Sequence, residues 1–183
     1  MGEYRELLMG AGSSRVKRLI YSGHKDAEFT NPTTLDNNSD HKPDVLWDLT
    51  VHPLPFDDDT FDEIHAYDVL EHLAAQGDYL FFFAEFSEYW RILKPGGIFI
   101  ASVPHYQSVW AWGDPSHRRV IQEETLIFLD QREYAQVGHT KMSDFRNIYK
   151  ADFRKRYAQT TKGDFAFALE AVKHKGGNHG DTL

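Results

Sequence analysis

Asp57-Asp-Asp-Thr-Phe-Asp-Glu-Ile-His-Ala-Tyr-Asp68-Val-Leu-Glu-His72 and, one helix length later, Arg91-Ile-Leu-Lys-Pro-Gly-Gly-Ile-Phe-Ile-Ala-Ser-Val-Pro104 decide the fold. Each holds an apolar run that ends on polar residues, as a buried strand does when its carboxyl end reaches a surface. Between them Tyr79, Phe82, Phe83, Phe86, Trp90 and Leu93 recur at the helical period, so the spacing predicts an amphipathic helix over Asp78 to Leu93. Lys94-Pro-Gly-Gly97 supplies its stop signal, and Ile98 to Val103 follows as a continuous apolar strand. Upstream, Arg5 to Met9 is a short strand running into the glycine turn Leu8-Met-Gly10-Ala-Gly12-Ser-Ser14. Open parallel sheets bind ligands beyond the carboxyl ends of their strands. The glycine turn and several carboxylates therefore share one edge, which suits a nucleotide-like ligand.

Working outward, Ser13 to Ile20 is expected as a brief helix and Tyr21 to Asn31 as a loop. Thr33 to Asp36 and Asp44 to Asp48 are two further strands, Pro53 and Pro55 punctuate a turn, and Phe61 to Tyr67 is the fourth strand. The stretch from Pro104 to Glu123, rich in His, Trp and Arg, is a long loop at a strand's carboxyl end, a place where loops carry function. Ala151 to Thr161 and Asp164 to Lys173 form a hairpin about Lys162-Gly163. Strands alternating with helices and closed by a hairpin give an α/β doubly wound sheet. Residues 1–175 are expected to form a single domain, with 176–183 as a flexible tail.

The composition narrows the chemistry. The chain has 183 residues, 41% hydrophobic and 26% charged, an ordinary globular mix for one domain. A net charge of −8 disfavours a surface that grips bulk nucleic acid, which needs clustered Lys and Arg. There is no membrane-length apolar run and no signal-peptide core near the N-terminus, so a cytoplasmic location is expected. The absence of cysteine removes disulfides, thiolate nucleophiles and Cys-ligated metals. The ten histidines include no His-Glu-x-x-His pair, and no metal site is expected.

The ordered motifs Leu54-Pro-Phe56, Phe61-Asp-x-Ile64, Val69-Leu-Glu-His72, Leu93-Lys-Pro-Gly-Gly97 and Val103-Pro104 resemble the short members of the class I S-adenosylmethionine-dependent methyltransferases. The resemblance runs from about Leu7 to Pro104, with a looser echo through Asp114-Pro-Ser-His117. It implies a Rossmann-like, doubly wound and mostly parallel seven-stranded sheet with one reversed strand and a C-terminal antiparallel hairpin, and S-adenosylmethionine as cofactor, leaving as S-adenosylhomocysteine. The cofactor-binding positions it implies are Gly10, Ala11, Gly12, Ser13, Asp36, Asn37, Asp48, Leu49, Asp68 and Val69. Gly10 and Gly12 would let the backbone approach the methionine part. Asp36 would accept from both ribose hydroxyls, and Asp48 would sit near the adenine amine. Read without the resemblance, the glycines also suit an ordinary tight turn, Asp36 a turn residue and Asp48 a strand-end cap. Leu8 stands where the family commonly has an acid, and Ser14 replaces a third glycine.

His72, His105 and His117 are the candidate catalytic residues, with His72 placed to act as a general base because imidazole titrates near neutrality. The loop from His105 to Arg118 would cover the substrate, with Trp110 and Trp112 chiefly packing the loop down. Phe82, Phe83, Phe86 and Trp90 are core residues. Methyl transfer is a direct displacement in which the protein mainly positions the nucleophile, so few acid–base groups are needed. A small-molecule or sugar-like acceptor fits best, and either the 105–122 loop or a second subunit of a homodimer closes the pocket. Two alternatives compete. One is a non-catalytic cofactor-binding module of the same fold. The other is an NAD-dependent oxidoreductase, disfavoured because Arg15 stands where the dinucleotide fingerprint needs glycine.

Overall fold

A computed structural model describes residues 3–19 and 28–173. The proposed tail at 176–183 and most of the 21–31 loop lie outside these residues. Seven strands form one sheet: β1 (Glu6–Met9), β2 (Thr33–Asp36), β3 (Val45–Leu46), β4 (Phe61–Tyr67), β5 (Leu93–Pro104), β6 (Phe153–Thr160) and β7 (Asp164–Ala171). Their order is β3-β2-β1-β4-β5-β7-β6. The pairs from β3 across to β5 are parallel, whereas β7 runs antiparallel to both β5 and β6. The chain thus forms the expected Rossmann-like sheet with a single reversed strand. The order reverses between β1 and β4, which makes their carboxyl ends the expected ligand crevice.

Strand β4 shows why the centre is stable. Ile64 and Ala66 face one side, with Leu7, Met9, Phe99 and Ala101, while Glu63, His65 and Tyr67 face the other. Over the first side packs α1 (Tyr79–Ile92), buried through Phe82, Phe83, Phe86, Tyr89 and Ile92, with Trp90 partly buried against the same core. Asp78 caps it by accepting the Phe81 N–H at 3.1 Å. The helix ends at Ile92 and β5 begins at once, earlier than the expected start at Ile98. The Lys94 ammonium, 2.6 Å from Asp62, fastens the Pro-Gly-Gly segment alongside β4.

The brief helix expected over Ser13 to Ile20 is not formed over the described residues 13–19. Its Lys17 instead points into the sheet, 2.7 Å from both Glu6 and Glu63, with all three side chains buried. Helix formation there would have to give up this ion cluster. Burial pushes Glu63 up, but hydrogen bonds from His65 and Lys17 prevail and hold its carboxyl well below the ordinary value. Leu8 is buried on this same side against Tyr67, Ile98, Ile100 and Ala168.

Beyond β5, the long loop contains a short helix, α2 (Val109–Gly113), and leads to α3 (Glu123–Leu126). Arg119 ties this segment to α1, its guanidinium 3.3 Å from the buried Glu85 and 5.2 Å from the Phe82 ring centre. Tyr89 donates its hydroxyl to the other oxygen of Glu85 at 2.8 Å. Burial nevertheless raises Glu85 from 4.5 to about 7. The folded protein then holds a proton that the unfolded chain has lost, so stability falls as pH rises from about 4.5 to about 7. The full shift corresponds to about 3 kcal/mol. Urea unfolding at a series of pH values should show this slope, and Glu85→Gln should flatten it.

Candidate active site

A cavity of about 340 Å³ opens at the carboxyl ends of β1 to β4. It is lined by Gly10, Leu35, Asp36, Asn37, Trp47, Asp48, Leu49, Asp68, Val69, His72 and Leu73. Seven of the expected cofactor positions meet here: Gly10, Asp36, Asn37, Asp48, Leu49, Asp68 and Val69. The other three do not line it: Ala11 is buried with Leu8 and Tyr67, Gly12 donates its N–H to Asp36, and Ser13 is exposed. Trp47, Leu35 and Leu73 also line it without having been singled out from the sequence. Trp47 directly precedes Asp48, a pairing of aromatic and acid that could have pointed to it.

The glycine turn is shaped by two constraints. Gly10 has φ of +57°, and a Cβ there would lie 2.3 Å from Val69 Cγ2. Only a residue without a side chain fits against Val69. Asp36, at the end of β2, accepts the Gly12 N–H through Oδ2 and the Asn38 N–H through Oδ1, both at 2.8 Å. His41 lies 3.2 Å away. Burial pushes Asp36 up, yet these donors outweigh it and hold the carboxylate below its ordinary value. It is therefore ionised at neutral pH, with lone pairs left to accept from a diol. Asp48 accepts from the Thr50 N–H and hydroxyl at 2.8 Å. Asp68, at φ +57°, pairs with Arg18 at 2.5 Å.

The turn after β4 carries the candidate base. His72 lines the cavity, and its ring lies edge-on to His117, with centroids 4.7 Å apart. The long loop is fastened here. Arg118 and Arg119 donate their N–H groups to the Glu71 carbonyl at 2.8 and 3.2 Å, and Ser116 Oγ lies 3.1 Å from His72 Nδ1. Two of the three candidate histidines thus come together from separate segments. His105 stays apart, buried against the Tyr106 ring and tied by its N–H to Gly163 at the hairpin turn.

Glu71 lies between the histidines and was not singled out from the sequence. It is buried, and neither carboxylate oxygen has a hydrogen-bond partner. Burial pushes it up to about 8, with Asp68, Asp114 and Asp164 adding repulsion. Trp110 and Trp112 do not pack the loop down. They are 66% and 73% exposed, because α2 turns them outward while Ala111 takes the buried side. A second cavity, about 280 Å³, lies beside the start of α1 among Phe82, Phe83, Phe128, Phe145 and Arg119 and holds none of the expected site residues.

Residues 26–101 match the family described as a methyltransferase domain. No curated protein matches the chain. Among solved structures, the chain is similar to a putative methyltransferase from Haloferax volcanii in complex with the Trm112 methyltransferase activator, at 14% identity and a TM-score of 0.60, covering 95% of this chain and 84% of that one. It is similar to an S-adenosylmethionine-dependent methyltransferase from Archaeoglobus fulgidus at 15% identity and a TM-score of 0.54, covering 92% and 86%. It is also similar to the N-methyltransferase NodS from Bradyrhizobium japonicum, solved with S-adenosylhomocysteine, at 12% identity and a TM-score of 0.53, covering 93% and 79%. Among the described residues no helix is long and apolar enough to cross a membrane. The methyltransferase-domain match thus spans the central part of the sheet, from residue 26 to residue 101, and the solved structures share the fold of the whole described chain.

Proposed function

We propose that the chain transfers the methyl group of S-adenosylmethionine to a small-molecule or sugar-like acceptor, holding the cofactor in the 340 Å³ cavity. The observation that carries this reading is the convergence of Gly10, Asp36, Asp48 and Val69 on that cavity at the switch point of the sheet. The bare backbone at Gly10, where a Cβ would strike Val69, suits close approach by the methionine chain. Asp36 accepts the ribose hydroxyls, Asp48 lies on the adenine side, and Trp47 and Leu49 supply apolar surface. The sulfonium, when bound, supplies an activated methyl group, so these residues need only orient it and exclude water. His72 and His117 stand on the acceptor side. The exposed rings of Trp110 and Trp112 lie on the loop that leads to His117, where a flat, partly apolar acceptor could rest.

Calorimetric titration with S-adenosylhomocysteine and with NAD tests this reading. The first should bind and the second should not, and binding of NAD alone would overturn it. Asp36→Ala should weaken S-adenosylhomocysteine binding by about 1.5–3 kcal/mol per charged hydrogen bond lost. It should also lower the melting temperature, because the Gly12 and Asn38 N–H groups lose their acceptor. A lower melting temperature with an unaltered dissociation constant would mean that Asp36 serves the loop alone.

A further inference from the structure

We infer that Glu71, His72 and His117 form a binding site for one divalent transition-metal ion beside the cofactor cavity. One ligand atom from each lies within 4.8 Å of the others. Glu71 is 2% exposed, and both of its carboxylate oxygens are without a hydrogen-bond partner. The side chain of His117 is 8% exposed, and its Nδ1 has no partner either. Its Nε2 is 3.9 Å from Glu71, too far for a hydrogen bond. Burying a carboxylate without a donor is costly, and either a proton or a bound cation relieves it.

The surroundings fit the same reading. Glu71 and His72 are neighbours on the turn after β4, while His117 is delivered by the loop whose N–H groups grip the Glu71 carbonyl. The ligand set is therefore held by backbone at both ends. Ser116 Oγ, at 3.1 Å from His72 Nδ1, is placed to orient that imidazole, as outer partners do in metal sites. Two imidazoles and one carboxylate match zinc and its neighbours cobalt, iron and manganese, not the all-oxygen sites of calcium or magnesium. A tetrahedral ion with bonds of about 2.0–2.1 Å spaces its ligands about 3.3 Å apart, so binding would draw the three side chains inward. Three protein ligands leave a position for an oxygen of the acceptor. His72 then serves as a ligand and not as a base.

A second cluster gives the contrast. Glu6, Glu63 and His65 are also close together, but the Lys17 ammonium already sits 2.7 Å from both carboxylates. That cation position is filled by the protein itself.

The test is titration of the untagged, chelator-treated full chain with cobalt(II), followed by visible absorption and by calorimetry. The expected result is saturation at one ion per chain with the intense bands of a four- or five-coordinate ion, displaced by zinc. Glu71→Gln, which keeps the shape and removes the carboxylate, should weaken cobalt binding at least tenfold, as should His117→Ala. Both variants should still bind S-adenosylhomocysteine, which confirms that they fold. Absence of a saturable spectrum, or one unchanged in Glu71→Gln and His117→Ala, would overturn the site. Cobalt binding without S-adenosylhomocysteine binding would instead count against the proposed cofactor cavity and leave the metal site standing.

Discussion

Lys17→Met is expected to destabilise the protein by about 3–5 kcal/mol, the cost of leaving buried charges without their partner. Lys17 is the cation that Glu6 and Glu63 share, and all three side chains are at most 5% exposed. Glu6 would keep one weak donor, the Thr30 N–H at 3.2 Å, and Glu63 would keep His65 at 2.9 Å. Burial, together with the charge of Lys17, holds His65 below its ordinary value in the native protein. Without Lys17 the imidazole is free to take up a proton and partly replace the lost cation. A raised folded-state value for His65 adds stability below its unfolded value and loses it as pH rises, so the penalty should be larger at pH 8 than at pH 6. Urea unfolding at the two pH values measures both effects. Glu6→Gln and Glu63→Gln combined with Lys17→Met should recover much of the loss. A penalty under about 1 kcal/mol would mean that Lys17 behaves as an exposed side chain.

Gly10→Val should abolish measurable binding of S-adenosylhomocysteine, a loss of at least about 100-fold, or about 2.7 kcal/mol. A β-branched residue at φ +57° is strained by about 1–2 kcal/mol. Its Cβ would lie 2.3 Å from Val69 Cγ2, so Val69 must shift in the wall of the cavity it lines. Gly12→Ala is the matched control. Gly12 also has positive φ, but nothing lies within 4 Å of the point its Cβ would occupy, so only the backbone cost applies. Titration calorimetry of both variants separates the effects. Equal losses would mean that backbone strain alone matters, and wild-type affinity in Gly10→Val would rule out the cavity as the cofactor site.

Much of the architecture was legible because periodicity reports burial directly. The bounds of β2 and β4 match those expected, and α1 lies within its expected range. The glycine turn and the strand-end acids were legible because a parallel sheet sends them all to one edge. What escaped notice depends on contacts between distant segments. The stretch after Ser13 reads as a helix until Lys17 meets two carboxylates on neighbouring strands. Glu71 looks like one more acid in an acidic run, and only the arrival of His117 shows that it is buried between imidazoles. Exposure of Trp110 and Trp112 was equally hidden, since a short turn of helix decides which side of the loop faces out.

The reversed strand has a consequence for synthesis. Strand β5 pairs with β7 from Ile98↔Glu170 to Pro104↔Asp164, and β7 leaves the ribosome well after β5. Until then the nascent sheet ends at β5, an apolar strand with unpaired backbone groups, which is the kind of edge that recruits other chains. Chains grow at about 5–20 residues per second, so that edge stays uncovered for several seconds on every copy made. Nascent chains are thus most exposed to aggregation after β5 has emerged and before the hairpin docks.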